Sequence, residues 1–370
     1  MIDFRGYKKK LKNLDYILII DVVIILIFGL LNIYSTMHLS SGSNYVKLQF
    51  LWIIIGFAII IFISSKDFIF IKNYTEIIYW ASIALLVFND ISSRAVKGAA
   101  SWIRIGSIAI EPGEFVKIGL ILILSKKIED FEGNINNAKN LLILIGYSLI
   151  PIVLILIQPN VGMALICFFI TLGILFIAGL DLKIIYTGFI SVIPISLIIW
   201  FSGILKIYQK NRIISFINPG AYESDIAYQL TQSLIGIGSG GLLGKGFLNG
   251  TQIAGGFIPE VHTDFIFSCV GEEWGLIGGI FLILLYFVLL MRIMKISNES
   301  HNIMSKLVCV GVISSLLFSI FQNIGMTIGI MPIAGITLPL MSYGGSSILA
   351  NLVAIGIVLC IGTKKGKLNL

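Results

Sequence analysis

The residues best suited to chemistry lie in GFIPEVHTDFIFSCVGEEWGLIGG, residues 256–279, where His262, Asp264, Glu272 and Glu273 sit at the mouth of or inside an otherwise apolar run. An acid at the centre of a bilayer-spanning helix costs about 2.5–3.5 kcal/mol, so an acid kept there has a use. Two readings of Asp264 are open. With Thr263 as N-cap it occupies the first helical turn and favours the helix dipole. Alternatively it is a general base at the water–membrane boundary, placed to take a proton from a sugar hydroxyl. At 100° per residue, Glu272 falls about 80° around the helix and roughly 12 Å deeper, within reach of the same cavity, whereas Glu273 faces a neighbouring helix.

A second group lies in KGAASWIRIGSIAIEPGEFVKIG, residues 97–119. Pro112 suits a first helical position, and Glu114 and Lys117 share a face three residues apart. An ion pair is the plain reading. Arg104 and Lys117 on the outer side, with Arg212 and Lys245 further on, also suit an anionic ligand such as a pyrophosphate. Trp102 is an interfacial anchor or a stacking platform for a sugar. The third group is NIGMTIGIMPIAGITLPLMSYGGSS, residues 323–347, where prolines and glycines break the helical pattern. Irregular backbone at membrane depth is tolerated where it is buried in protein or lines a wet cavity. The segment is expected to re-enter from outside and shape the same pocket, with Ser342 and Ser346 as donors or local caps.

These groups are carried by a polytopic all-α membrane chain. Its 370 residues are 57% hydrophobic and 12% charged, with mean hydropathy +0.99, whereas soluble domains are about 25% charged. Apolar runs of about 20 residues cross a hydrocarbon core roughly 30 Å thick. Ten spans are expected, at about 15–35, 48–65, 74–89, 110–126, 141–157, 161–180, 183–203, 264–291, 305–330 and 343–362. The first is an uncleaved helix rather than a signal peptide. Basic residues place both termini in the cytoplasm, so the net charge of +7 reflects topology and needs no nucleic-acid partner.

Two long loops face outward: residues 89–110, and residues 204–261 between spans 7 and 8. The chain is expected to form a single domain. GIGSGG matches the spacing of a dinucleotide fingerprint but lacks the surrounding βαβ unit; close backbone packing is the better reading, with Lys245 as a phosphate contact. Asp15 reads as the N-cap of the first span, and Asp21 has no assigned role. Cys167, Cys269, Cys309 and Cys360 lie in apolar segments and read as small buried hydrophobes.

Together, KGAASWIRIG, EPGEFVKIG, YQLTQSLIGIGSGGLLGKGFLNGTQ, FIPEVHTDFIFSCVGEEWG and SYGGSS resemble the shape, elongation, division and sporulation (SEDS) family. The NGTQ element before FIPE is closer to the RodA branch than to the FtsW branch. The resemblance implies a peptidoglycan glycosyltransferase of the bacterial cytoplasmic membrane, polymerising lipid II on its outer face by inverting transfer, with Asp264 as the essential acid. It also implies as partners lipid II, the nascent glycan strand, membrane lipids and a class B penicillin-binding transpeptidase. A magnesium or manganese ion bridging the pyrophosphate is compatible with that chemistry, although the sequence shows no dedicated cage. The supporting residues are Glu114, His262, Thr263, Glu272, Trp102, Ser342 and Ser346. Three places depart from the family pattern: Gly113 in PGE where PSE is usual, Asn160 and Met163 in QPNVGM where QPDLGT is usual, and Thr337 in place of a proline. A lipid II flippase and a catalytically silent scaffold are the alternatives.

Overall fold

The computed structural model describes residues 13–38, 42–92, 101–105, 108–188 and 225–363, with single positions 190, 194, 210, 214 and 216 between them. The apolar runs form helices α1 (Tyr16–Met37), α2 (Gly42–Ser65), α3 (Phe68–Ser92), α4 (Pro112–Asp130), α5 (Ala138–Ile157) and α6 (Val161–Ile177). These are followed by α7 (Asp225–Gly240), α8 (Thr251–Ala254), α9 (Ile266–Asn298), α10 (Ile303–Thr327) and α11 (Gly345–Gly362). Side-chain oxygens of Asp15, Asn137, Asn160 and Asn302 accept from backbone N–H groups in the first turns of α1, α5, α6 and α10, satisfying donors the helix leaves open.

Among the described residues, six helices are long and apolar enough to cross a membrane: α1, α2, α5, α9, α10 and α11. Helices α3 and α4, of 25 and 19 residues, carry charges near their ends, and α6 is apolar but shorter, at 17 residues. The expected span 183–203 falls largely outside the described residues. Helix α4 is the hub, packing against α3, α5, α6, α10 and α11, with Leu120, Leu122, Ile123 and Leu124 buried. Large apolar side chains on the outer helices, such as Phe62, Ile77, Leu156 and Phe287, stay exposed, as a lipid-facing surface requires. At the end of the bundle remote from Asp264, Arg292 makes a two-pronged contact with Asp15, at 3.1 and 2.6 Å, tying α9 to the start of α1.

Both expected outer loops carry structure. Helix α3 runs on to Ser92, and beyond it β1 (Ile103–Ile105) pairs antiparallel with β2 (Ile108–Ile110), Arg104 lying opposite Ala109. The long loop contains α7 and α8, and its glycine-rich segment docks on a break in α9. At Gly275 the backbone turns to φ 65°, ψ −161°. The groups this exposes are taken up by the loop: Leu276 and Ile277 N–H donate to the carbonyls of Gly241 and Leu242, and Lys245 and Gly246 N–H donate to those of Glu272 and Glu273. Buried backbone needs such partners. The approach is close enough that a Cβ at Gly240 would stand 2.0 Å from the Gly271 carbonyl oxygen. Close backbone packing therefore accounts for this part of the motif.

Candidate active site

Asp264 does not belong to a helix. Helix α9 starts at Ile266 with Phe265 as its N-cap and no acid in its first turn, so the expected Thr263 cap is absent; Thr263 Oγ1 donates instead to the Glu260 carbonyl at 3.1 Å. The backbone of Asp264 is held on both sides. Its N–H donates to the Glu260 carbonyl at 3.0 Å. Its carbonyl accepts from Asn323 Nδ2 at 2.8 Å, and the same amide reaches the Ile336 carbonyl at 2.7 Å. One α10 side chain thus clips the Asp264 turn to the irregular segment after α10, which sets where the carboxylate can reach.

That segment, from Ile328 to Gly344, is non-helical, and its stretch Leu338–Ser342 is buried. Ser342 is its main fastener: its Oγ donates to the Thr263 carbonyl at 2.5 Å and accepts from Leu338 N–H at 2.8 Å. Tyr343 N–H donates to the His262 carbonyl at 2.9 Å. From α2, Gln49 donates to the Ser342 carbonyl and accepts from Gly344 N–H.

Two cavities flank this turn. The outer one, about 500 Å³, is lined by Tyr45, Trp52, Trp102, Arg104, His262, Thr263 and Tyr343. Tyr45, His262 and Tyr343 form a ring cluster with centroids 5.0 to 5.8 Å apart. Aromatic faces beside a guanidinium suit a ligand combining sugar and phosphate. The inner cavity, about 20 Å³, holds Glu111, Glu114, Lys117, Asn160, Thr337 and Asn351 on its walls. Gly335 lines it too, and a Cβ there would lie 3.6 Å from Asp264 Oδ2. The Asp264 carboxylate therefore abuts the inner wall while its neighbour Thr263 lines the outer pocket.

In the inner wall Lys117 Nζ pairs with Glu114 at 2.6 Å, both buried near the start of α4. Glu111, which sequence reasoning passed over, precedes Pro112 at that helix start. Its N–H donates to Ser346 Oγ at 3.0 Å and its carboxylate accepts from Asn160 Nδ2 at 3.0 Å. The departures from the family pattern converge here. Asn160, Met163 and Thr337 all line this cavity, and a Cβ at Gly113 would sit 3.0 Å from Met163 Cγ. The missing serine leaves room for the larger methionine. Thr337 Oγ1 lies 3.0 Å from Ser347 Oγ, a contact a proline could not make.

His262, Thr263, Trp102 and Arg104 are thus brought together around the outer pocket, with Ser342 fastened to Thr263 beneath it. Glu114 and Lys117 line the inner cavity, where Asp264 abuts the wall at Gly335 and Ser346 holds Glu111. Lys245 and Glu272 are not brought there. Glu272 is 0% exposed and accepts from Lys245 Nζ at 2.7 Å, Thr251 Oγ1 at 3.2 Å, and the N–H groups of Gln252 at 2.9 Å and Ile253 at 3.2 Å. Its carboxylate fastens the glycine-rich loop, because the break at Gly275 turns that loop onto it, and Lys245 is its counter-ion. Glu273 does reach a neighbouring helix, accepting from Ser35 Oγ of α1. Arg212 lies outside the described residues. Tyr45 and Trp52 carried no motif in the sequence; Tyr343 lies within SYGGSS but was not singled out, and Glu111 left a trace only as an acid directly before a helix-starting proline.

Residues 15–367 match the family model for cell cycle proteins of the FtsW, RodA and SpoVE type. The chain is 30% identical to a peptidoglycan glycosyltransferase RodA from Treponema pallidum, covering 95% of this chain and 98% of that one. It is 32% identical to the peptidoglycan glycosyltransferase MrdB of Escherichia coli K12, covering 96% and 95%. Among solved structures, a chain described under "Structural coordination of polymerization and crosslinking by a peptidoglycan synthase complex" superposes with a TM-score of 0.82 at 27% identity, over 96% of this chain and 99% of that one.

Proposed function

The chain belongs to the FtsW, RodA and SpoVE family of cell cycle proteins, and on that premise we propose that it is a peptidoglycan glycosyltransferase that polymerises lipid II with Asp264 as its base. The supporting observation is the placement of Asp264: outside the helix, held by its backbone, between an aromatic and arginine-lined pocket and a buried polar wall.

In this reading the pocket of Trp102, Tyr45 and Tyr343 receives the sugars, and Arg104 faces the pyrophosphate. Asp264 takes the proton of the acceptor 4-hydroxyl as its oxygen attacks the donor's anomeric carbon. The bond to undecaprenyl pyrophosphate breaks with inversion and the carrier leaves with the electron pair. A cation beside the leaving pyrophosphate stabilises the charge that develops there. Among the described residues no group of three or more His, Cys, Asp or Glu side chains forms a metal cage. A magnesium or manganese ion, if used, would take its oxygens mainly from the pyrophosphate. The chain is a membrane protein. The family membership supports a seat in the cytoplasmic membrane, and the distribution of basic residues supports both termini inside. A class B penicillin-binding transpeptidase as partner is supported by the likeness to a chain of a synthase complex.

The test is polymerisation of labelled lipid II by the purified chain with its transpeptidase, comparing wild type with Asp264→Asn. Strands from wild type alone support the assignment. Strands from both would remove Asp264 from the chemistry. Strands from neither, with the complex folded, would turn the argument toward lipid translocation or a scaffold.

A further inference from the structure

The inner cavity holds a buried carboxylate that the transfer chemistry above does not use. Glu111 is 9% exposed and is fixed at two points on two other helices, by Ser346 of α11 at its backbone and by Asn160 at the start of α6 through its side chain. Asn160 cannot turn away, because its Oδ1 accepts from Met163 N–H at 3.1 Å as the cap of α6. Its NH2 group is thereby aimed at Glu111, with Ser101 Oγ as a second, longer contact at 3.4 Å. Glu111 also lies within electrostatic range of Glu114, Lys117 and Asp264. Lys117 is paired with Glu114 at 2.6 Å, and Glu111 lines the same small cavity of about 20 Å³. A carboxylate so placed organises its neighbours strongly, since low local dielectric strengthens each polar contact and penalises each one lost.

We infer that Glu111 is a positioning residue of the transfer site, its carboxyl group holding the Asn160 amide in the wall against which Asp264 is set. It touches no substrate. It acts through the wall, and what the wall requires is one carboxylate and one amide facing each other across the 3.0 Å contact between α4 and α6. The inference rests on the polymerase reading, because its readout is the rate of glycan formation.

The geometry supplies its own test. Glu111→Gln replaces the carboxyl group by an amide and sets two amides face to face, and Asn160→Asp sets two carboxyl groups face to face. The double variant restores one of each with the positions exchanged. Lipid II polymerisation by the full chain with its transpeptidase is measured for all four proteins, with kcat and KM separated and thermal unfolding recorded. Each single variant should lose at least tenfold in kcat with KM within about twofold, since the outer pocket is untouched. The exchange should recover most of that loss. Full activity in Glu111→Gln, or a double variant no better than the worse single one, overturns the inference. Should Glu111→Gln alone fail to fold, the double variant decides: a folded exchange that polymerises near the wild-type rate supports the inference, and a folded but inactive one overturns it. A double variant that also fails to fold makes Glu111 a folding residue and overturns it too. A wild type that makes no strands overturns the polymerase reading itself, and the inference with it.

Discussion

Lys245 and Glu272 offer a test of whether the outer loop is fastened as described. Glu272→Ala deletes an acceptor of four hydrogen bonds, from Lys245, Thr251 and the N–H groups of Gln252 and Ile253. Removing one partner of a buried pair costs about 3–5 kcal/mol. Lys245 is partly solvated, with its side chain 24% exposed, which puts the loss near the lower end, about 3 kcal/mol. Lys245→Ala is milder, about 1–2 kcal/mol, because Glu272 keeps its other three donors. At about 2–3 °C per kcal/mol, the apparent Tm should fall by about 6–9 °C for Glu272→Ala and about 2–6 °C for Lys245→Ala. The double variant should be scarcely worse than Glu272→Ala alone, since the two substitutions remove a shared contact. Limited proteolysis should show the segment 241–258 cut faster in Glu272→Ala, and KM for lipid II should stay within twofold in Lys245→Ala. The reasoning is refuted if Lys245→Ala leaves Tm unchanged while raising KM severalfold. That result would return Lys245 to the pyrophosphate and leave Glu272 held by the loop backbone and Thr251.

Two further outcomes follow from close packing. Gly275→Ala should abolish accumulation of folded protein, because the φ of 65° disfavours any side chain and the added Cβ would stand 2.3 Å from the Gly244 nitrogen; yield in detergent extracts of membranes checks it. Gly113→Ser should cost about 1–2 kcal/mol by crowding Met163, whose Cγ is 3.0 Å from the new Cβ, and Gly113→Ser with Met163→Thr should regain it, read as apparent Tm of the two variants.

Much of this protein was determined by its sequence alone. Membrane residence, the helices and their approximate ends follow from apolar runs and caps, which are local properties. The acid at 264, the cations at 104 and 117 and the broken segment after α10 could be picked out because each stands against its local pattern. The Glu114–Lys117 pair was readable because three residues on one helix bring two side chains together. What lay beyond the sequence was pairing across distance. Gln49 meets Ser342, Glu111 meets Ser346, and Glu272 turns away from Asp264 toward Lys245. Helical periodicity placed Glu272 near the Asp264 face, but it assumes an unbroken helix from residue 264, and α9 starts at Ile266 and breaks at Gly275. Spacing reports which face a residue occupies on its own helix. Which neighbour covers that face is decided by how the helices pack, and that packing alone set Glu111 against Asn160 and assembled the aromatic pocket beside Asp264.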